Sequence, residues 1–272
     1  MKLIIESGAT KTEWTLLGDA ASSRFITPGV NFAHTGSEVL TSVLSEASRK
    51  VDFQAVGEVF VYGAGLFEPN PEILAAFPSA KVEFGSDLLA SARALFGRGA
   101  GIAAILGTGS NTGFYDGSTV SQKVRSGGFI LGDEGSASVL GKLFISDFLK
   151  GCMPEALARE FSEKFDSDYL SIVKAVYRSE APARYLGSFA PFIVESASRY
   201  DYSAGLIDLN LRNFFSRALS KYNCGAFEVG ISGSFAAAVS ARIEAVAKEF
   251  GIRISAILAS PSEELVNYHR NV

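Results

Sequence analysis

Ile5-Glu6-Ser7-Gly8-Ala9-Thr10-Lys11-Thr12-Glu13-Trp14 lies near the start of the chain, between two apolar runs, Lys2 to Ile5 and Trp14 to Leu17. Apolar runs flanking small, hydroxylated residues predict a β-hairpin. Its turn has chemistry suited to phosphate. Gly8 lets the backbone fold tightly and bring N–H groups close to a ligand. Thr10 and Thr12 add hydroxyl donors, Lys11 adds a point charge, and Glu6 adds a carboxylate able to hold a hydrated divalent cation. A plain polar hairpin turn would use the same residues, so the stretch alone leaves both readings open.

Downstream, Ser23 to Thr27 reads as a third strand, and Pro28-Gly29-Val30-Asn31 as a turn that exposes Asn31, either as a turn former or as a ligand contact. Thr35-Gly36-Ser37-Glu38 resembles a capping box, and Val39, Leu40, Val43, Leu44 and Ala47 follow it at helical spacing. Glu58 to Tyr62 is a buried-type strand ending in Gly63-Ala64-Gly65. Pro69 and Pro71 mark a helix starting near Glu72, and Lys81 to Phe84 is another strand. Ser86-Asp87 then opens a helix with Leu88, Leu89, Ala92, Leu95 and Phe96 on its apolar face. Asp87 thus stands at a strand-to-helix junction, where an N-cap or a first-turn acid is common.

Gly97-Arg98-Gly99-Ala100-Gly101 is the best candidate hinge or domain boundary. It divides residues 1–101, with 261–272 as a candidate addition, from residues 102–260. After it the opening pattern returns: Ile102 to Leu106 is apolar, Gly107-Thr108-Gly109-Ser110-Asn111-Thr112 is a small polar turn, and Gly113 to Tyr115 resumes the strand before a turn at Asp116-Gly117. A second echo pairs Glu58 to Gly65 with Glu228 to Phe235, each a strand feeding a glycine turn. Two echoes in the same order predict a duplicated chain. Between them, Gly127-Gly128-Phe129-Ile130-Leu131-Gly132-Asp133-Glu134-Gly135-Ser136 is a second glycine-rich segment with adjacent acids. Residues from about Ser138 to Tyr222 are mostly helical by periodicity, interrupted near Arg184 to Phe192 and Tyr200 to Ser203. Phe161, Phe165, Tyr169, Phe214 and Phe215 are expected in the core. Ile254 to Leu258 reads as a strand, and a terminal helix is expected from Pro261 through Asn271.

With 272 residues, 47% of them hydrophobic, the chain can bury a substantial core and is not expected to be disordered. A net charge of −4 gives no footprint for nucleic acid or an anionic membrane. No apolar run approaches a membrane span and no signal-peptide pattern opens the chain, so the expected location is cytoplasmic. Cys152 and Cys224 lie far apart without metal-type spacing, and His34 and His269 are the two histidines. Acid–base work therefore falls to carboxylates.

Two glycine-hydroxyl hairpins, a glycine-led turn at Gly233, and an acid at a helix start suit a nucleotide held between two lobes. Phosphoryl transfer is mostly positioning and electrostatic stabilisation, so backbone donors, hydroxyls, Mg²⁺ and one carboxylate suffice. The absence of G-x-x-x-x-G-K-[ST] disfavours a P-loop. Read jointly and in order, Glu6 to Thr12, Gly29-Val30-Asn31, Ser86-Asp87-Leu88-Leu89-Ala90, Leu106 to Asn111, Gly127-Gly128-Phe129, Leu131 to Ser136 and Ser232-Gly233-Ser234 resemble the sugar kinase/Hsp70/actin superfamily. Within it they resemble the N-acetylglucosamine kinase and BadF/BadG/BcrA/BcrD ATPase group, over nearly the whole chain.

The resemblance implies an α/β class with a duplicated actin-like (ribonuclease H-like) ATPase fold, its two lobes built on mixed sheets flanked by helices. It implies ATP and Mg²⁺ as cofactors and an amino sugar as acceptor; the net charge already points to no nucleic-acid or membrane partner, and a homodimer stays open. Gly8, Thr10, Lys11 and Thr12 would form the first phosphate loop, and Gly107, Thr108, Gly109 and Ser110 the second. Gly233 and Ser234 would lie at the adenosine, and Glu6 would hold Mg²⁺ through water. Asp87 matches the catalytic acid that accepts or orients the sugar hydroxyl proton. Asn31, Asp87, Thr108, Gly109, Gly128, Phe129 and Asp133 match sugar-site positions. Three departures stand out: Glu6 replaces the usual Asp, Phe129 a frequent Trp, and Ala33 a common aromatic. Two other functions fit the group: an ATPase activator of a radical dehydratase, and a non-catalytic sugar or nucleotide sensor.

Overall fold

The computed structural model describes residues 1–8, 10–18, 22–33, 36–66 and 68–270. Ala9 of the hairpin turn, Thr35 of the expected capping box and Asn271, the expected end of the terminal helix, lie outside the described residues. The chain groups into two compact units. One is Met1–Arg98 with Gly117–Thr119 and Pro261–Val272; the other is Gly99–Asp116 with Val120–Ser260.

The first unit holds strands β1 (Lys2–Ser7), β2 (Lys11–Leu17), β3 (Ser22–Pro28), β4 (Glu58–Gly63) and β5 (Lys81–Ser86), in the sheet order β3-β2-β1-β4-β5. The hairpin pairs are antiparallel, and β1, β4 and β5 are parallel. Both strands of the first hairpin run further into the quoted stretch than its apolar runs predict. Ser7 Oγ and Thr12 Oγ1 meet at 2.7 Å, which extends the pairing, and beyond it the Gly8 N–H donates to the Lys11 carbonyl at 3.0 Å. Alternation sorts β1 onto two cores. Leu3 and Ile5 join Trp14 and Val59 beneath helices α1 (Ser37–Ser48) and α2 (Pro71–Ala76), while Ile4 joins Phe60 and Tyr62 on the face covered by α3 (Asp87–Phe96). Trp14 stacks on Phe25 and Phe53, with centroids 5.7 and 6.2 Å away. The cap of α1 is Gly36, with no side-chain cap bond, in place of the expected capping box.

The second unit repeats this plan. Strands β6 (Gly101–Leu106), β7 (Ser110–Tyr115), β8 (Val120–Ser121), β9 (Val229–Ser232) and β10 (Ile254–Leu258) lie in the order β8-β7-β6-β9-β10, with the same antiparallel and parallel pairings. Two mixed five-stranded sheets of one topology are the duplicated α/β fold that the echoes predict. At two residues, β8 is too short to leave a sequence signal.

Its helices are α4 (Gly128–Leu131), α5 (Ala137–Lys150), α6 (Glu155–Lys164), α7 (Tyr169–Tyr177), α8 (Pro182–Gly187), α9 (Ala190–Ser196), α10 (Asp201–Arg217), α11 (Ser234–Ala238) and α12 (Ser240–Glu249). The helical stretch breaks in places other than those expected. Arg184 to Phe192 is largely helical, and α10 already begins at Asp201. One real break follows Gly151, whose left-handed conformation (φ 65°) ends α5. Phe161, Phe214 and Phe215 are fully buried and Phe165 packs against them, but Tyr169 is 62% exposed. It opens α7, a helix that buries only Ile172, so its ring points away from the core.

Helix α13 (Ser262–Arg270) returns to the first unit and packs Leu265 and Val266 onto the Ile4–Phe60 face. His269, 1% exposed, lies over the Phe60 ring and shares a 2.9 Å hydrogen bond with the Tyr62 hydroxyl, which also accepts from Arg93. Burial holds the imidazole neutral, its pKa lowered to about 3. Among the described residues, no helix is long and apolar enough to cross a membrane.

Candidate active site

In each unit the candidate residues collect where parallel strands end in turns, the usual ligand position in α/β sheets. In the first unit these are the ends of β1, β4 and β5. The segment after β3 folds over the first turn: a side chain at Gly29 would begin 2.5 Å from the Gly8 carbonyl oxygen and 2.6 Å from Lys11 N. Only glycine permits this approach. The same segment is tied to β1, since Ser7 Oγ donates to the Val30 carbonyl (2.8 Å) and Thr12 Oγ1 to the Pro28 carbonyl (3.0 Å). Thr12 is buried, so its hydroxyl serves the fold. Lys11 is exposed and pairs with Glu13 at 2.9 Å. Next along the segment, Asn31 Oδ1 accepts the Ala33 N–H at 3.0 Å, and the Phe32 N–H reaches the Ala64 carbonyl after β4.

Asp87 is the first residue of α3. Ser86 is the N-cap, its hydroxyl accepting the Leu89 N–H at 3.1 Å, which relieves Asp87 of that task. One Asp87 oxygen accepts the Leu88 N–H at 2.8 Å. Burial raises the Asp87 pKa above the usual carboxylate range, against the pull of these main-chain bonds. Glu6 lies on the α13 face of the sheet, directly across from Glu13. Burial lifts its pKa to about 7, with the Ser262 hydroxyl bond lowering it and the Glu13 charge adding to the rise. Ser262 and Glu13 are partners that no sequence pattern announces, because they reach Glu6 through strand register and the return of α13.

In the second unit the turn after β6 meets the turn after β9. Gly233, at φ 127°, lies flat against β6: a side chain there would begin 2.2 Å from the Leu106 carbonyl oxygen. Ser234 follows, exposed at the start of α11. The carbonyls of Gly107 and Thr108 accept the N–H groups of Ala137 and Ser138 at 2.9 and 3.1 Å, which fastens this turn to α5. Open space faces the α-carbon of Gly107. The Asp133 carboxylate rests on the turn, 2.9 Å from where a Gly109 side chain would begin, and accepts a main-chain bond from Ser110. Burial lifts the Asp133 pKa to about 6, the Ser110 bond opposing this and Glu134 adding to it. Gly128 and Phe129 sit on the single-turn helix α4. The Phe129 ring packs on the core, and its carbonyl accepts Lys142 Nζ at 2.6 Å.

These residues fit ATP and Mg²⁺. In the second unit, open space at Gly107 leaves room for phosphate oxygens against the glycine turn. Magnesium keeps most of its water and takes one or two carboxylates along with phosphate oxygens, so the facing pair Glu6 and Glu13 suits it. Among the described residues there is no group of three or more His, Cys, Asp or Glu side chains of the kind that cages a metal ion.

No protein-family model matches the chain, and no curated protein matches it. Among solved structures, the chain is 35% identical to a proposed N-acetylglucosamine kinase from Porphyromonas gingivalis, covering 100% of this chain and 99% of the other at a TM-score of 0.94. A proposed N-acetylglucosamine kinase from Chromobacterium violaceum aligns over 98% of both chains at a TM-score of 0.71 and 16% identity. A ROK family glucokinase from Streptomyces griseus, solved with glucose and AMPPNP, aligns over 99% of both at a TM-score of 0.55 and 15% identity. The last two likenesses show the fold alone; the first spans both sheets, both glycine turns and the Asp87 junction at a level that shows kinship. The chain belongs to the N-acetylglucosamine kinase family.

Proposed function

We propose that this protein transfers the γ-phosphoryl group of ATP to a hydroxyl of an amino sugar, N-acetylglucosamine or a close relative. The observation that carries the reading is Asp87: a carboxylate at the end of β5, relieved of capping by Ser86 and made more basic by burial. A general base gains efficiency as its pKa approaches the working pH. Asp87 accepts the hydroxyl proton as the sugar oxygen bonds to the γ-phosphorus. The bond from that phosphorus to the bridging oxygen breaks, and ADP leaves with its electron pair.

Gly8, Thr10 and Lys11, with the main chain of Thr12, bind phosphate, as do Gly107, Thr108, Gly109 and Ser110. Gly233 and Ser234 lie against the adenosine. Asn31, Thr108, Gly109, Gly128, Phe129 and Asp133 contact the sugar. Glu6 would hold hydrated Mg²⁺, which when bound would neutralise phosphate charge. Nothing at the cysteines favours the activator reading: Cys152 and Cys224 direct their thiols to the Lys150 and Leu219 carbonyls.

The test is ADP release from ATP·Mg²⁺ with a panel of hexosamines. Release is expected with N-acetylglucosamine or another amino sugar. Release that no sugar lifts above the sugar-free rate overturns the reading.

A further inference from the structure

Asp133 is the one non-glycine residue with positive φ among the described residues, at 56°. Side chains other than Gly, Asn and Asp rarely adopt this conformation, and it persists only where the surroundings impose it. Local bonds fix one side of the residue: its N–H donates to the Ser126 carbonyl at 3.0 Å, and its carbonyl accepts the Ser136 N–H at 3.1 Å. The other restraint comes from a distant helix. Asn210 of α10 is fully buried among Leu206, Ile207, Leu211 and Phe214, a place where a polar side chain is costly unless satisfied.

Its amide is satisfied by one target alone, the segment that follows Asp133. Oδ1 accepts the Gly135 N–H and Nδ2 donates to the Ser136 carbonyl, each at 2.9 Å. One turn along α10, Phe214 presses on the same glycine, 2.6 Å from where a Gly135 side chain would begin. Asn210 and Phe214 therefore clamp the main chain two and three residues beyond Asp133.

We propose that Asn210 is a positioning residue, whose amide clamp on Gly135 and Ser136 holds Asp133 in its left-handed conformation with the carboxylate on the Gly109–Ser110 turn. This rests on the reading of Asp133 as a sugar contact. Asn210 touches no substrate; it acts through Asp133.

The test measures kcat, the sugar KM and the ATP KM for Asn210→Ala, Asp133→Asn, the double variant, and Asp168→Ala, which removes the remote N-cap of α7. Asn210→Ala is expected to raise the sugar KM roughly 10- to 100-fold, with the ATP KM changed by less than about twofold. The double variant is expected to be no weaker than Asp133→Asn, since residues acting as a unit are not additive. Asp168→Ala lowers thermal stability without moving either KM. If Asn210→Ala fails to fold, Asn210→Ser, which keeps an uncharged polar group but is too short to bond both Gly135 and Ser136, should raise the sugar KM alone. Effects that add in the double variant, or an Asn210 variant that shifts both KM values equally or neither, overturn the clamp. An Asp133→Asn enzyme with the native sugar KM overturns instead the placement of Asp133 at the acceptor.

Discussion

The turn after β1 and the turn after β6 hold the same place in two sheets of one topology, yet different neighbours lean on them. In the first unit, Gly29 presses on Gly8, Thr10 and Lys11, and the hydroxyls of Ser7 and Thr12 are spent on the Val30 and Pro28 carbonyls. In the second, the Gly107–Gly109 turn is fastened by its carbonyls to the start of α5, Asp133 rests on it, and open space faces Gly107. The first turn is buttressed from outside the sheet by a loop, the second from behind by a helix N-terminus. Duplication copies strand order, which backbone pairing enforces. It does not copy side-chain roles, which depend on whatever each copy packs against.

In the proposed reaction the proton chemistry belongs to the first unit. Asp87→Asn is expected to lower kcat about 1,000-fold while ATP still binds in calorimetry. Loss of ATP binding in that variant would make Asp87 a structural residue. The next test sets the two echoing glycines against each other. A methyl at Gly233 meets the Leu106 carbonyl at 2.2 Å with φ at 127°, whereas at Gly63 it meets the Phe32 ring, which can move. Gly233→Ala should cost about 3 kcal/mol of stability and Gly63→Ala about 1 kcal/mol, read from denaturant unfolding. Equal costs would mean that the two turns are interchangeable.

Glu6 has no counterpart in the second turn, where Ile105 takes the corresponding strand position. Because its folded pKa of about 7 exceeds the ordinary carboxylate value, the unfolded chain sheds this proton first as pH rises. The native state therefore loses stability between about pH 4.5 and 7. Glu6→Gln removes the titration. It should leave stability unchanged at pH 4, raise it by on the order of 2 kcal/mol at pH 8, and weaken the Mg²⁺ dependence of turnover. A stability gain that is the same at both pH values would show that Glu6 does not titrate in this window. The smallest effect is expected at Thr12. Thr12→Val should cost about 1 kcal/mol through the lost Pro28 bond, with the ATP KM within about twofold. A tenfold rise would assign the hydroxyl to phosphate.

Several features were legible in the residues alone. The apolar runs of β1 and β2, the two glycine-hydroxyl turns and the echo of Glu58 to Gly65 in Glu228 to Phe235 are local patterns, each set by neighbouring residue types and by glycine at a turn. Read in order they give the duplicated α/β fold. The role of Asp87 came only from the resemblance to the kinase group, because a strand running into a helix places an acid there for capping as readily as for chemistry. Periodicity misled at Tyr169, since the spacing that marks an apolar face does not say whether a neighbour covers it.

The tertiary structure alone decided which partners each polar group meets. Glu6 is opposed by Glu13 through register and reached by Ser262 through a helix that returns from the far end of the chain. Asn210 finds Gly135 across 75 residues, and Thr12 turns its hydroxyl inward to Pro28. Hydrogen bonds and burial act over a few ångströms of space, whatever the distance along the chain. A sequence therefore fixes the elements and the chemistry they carry, and the folded chain fixes the pKa values and the orientation of each group.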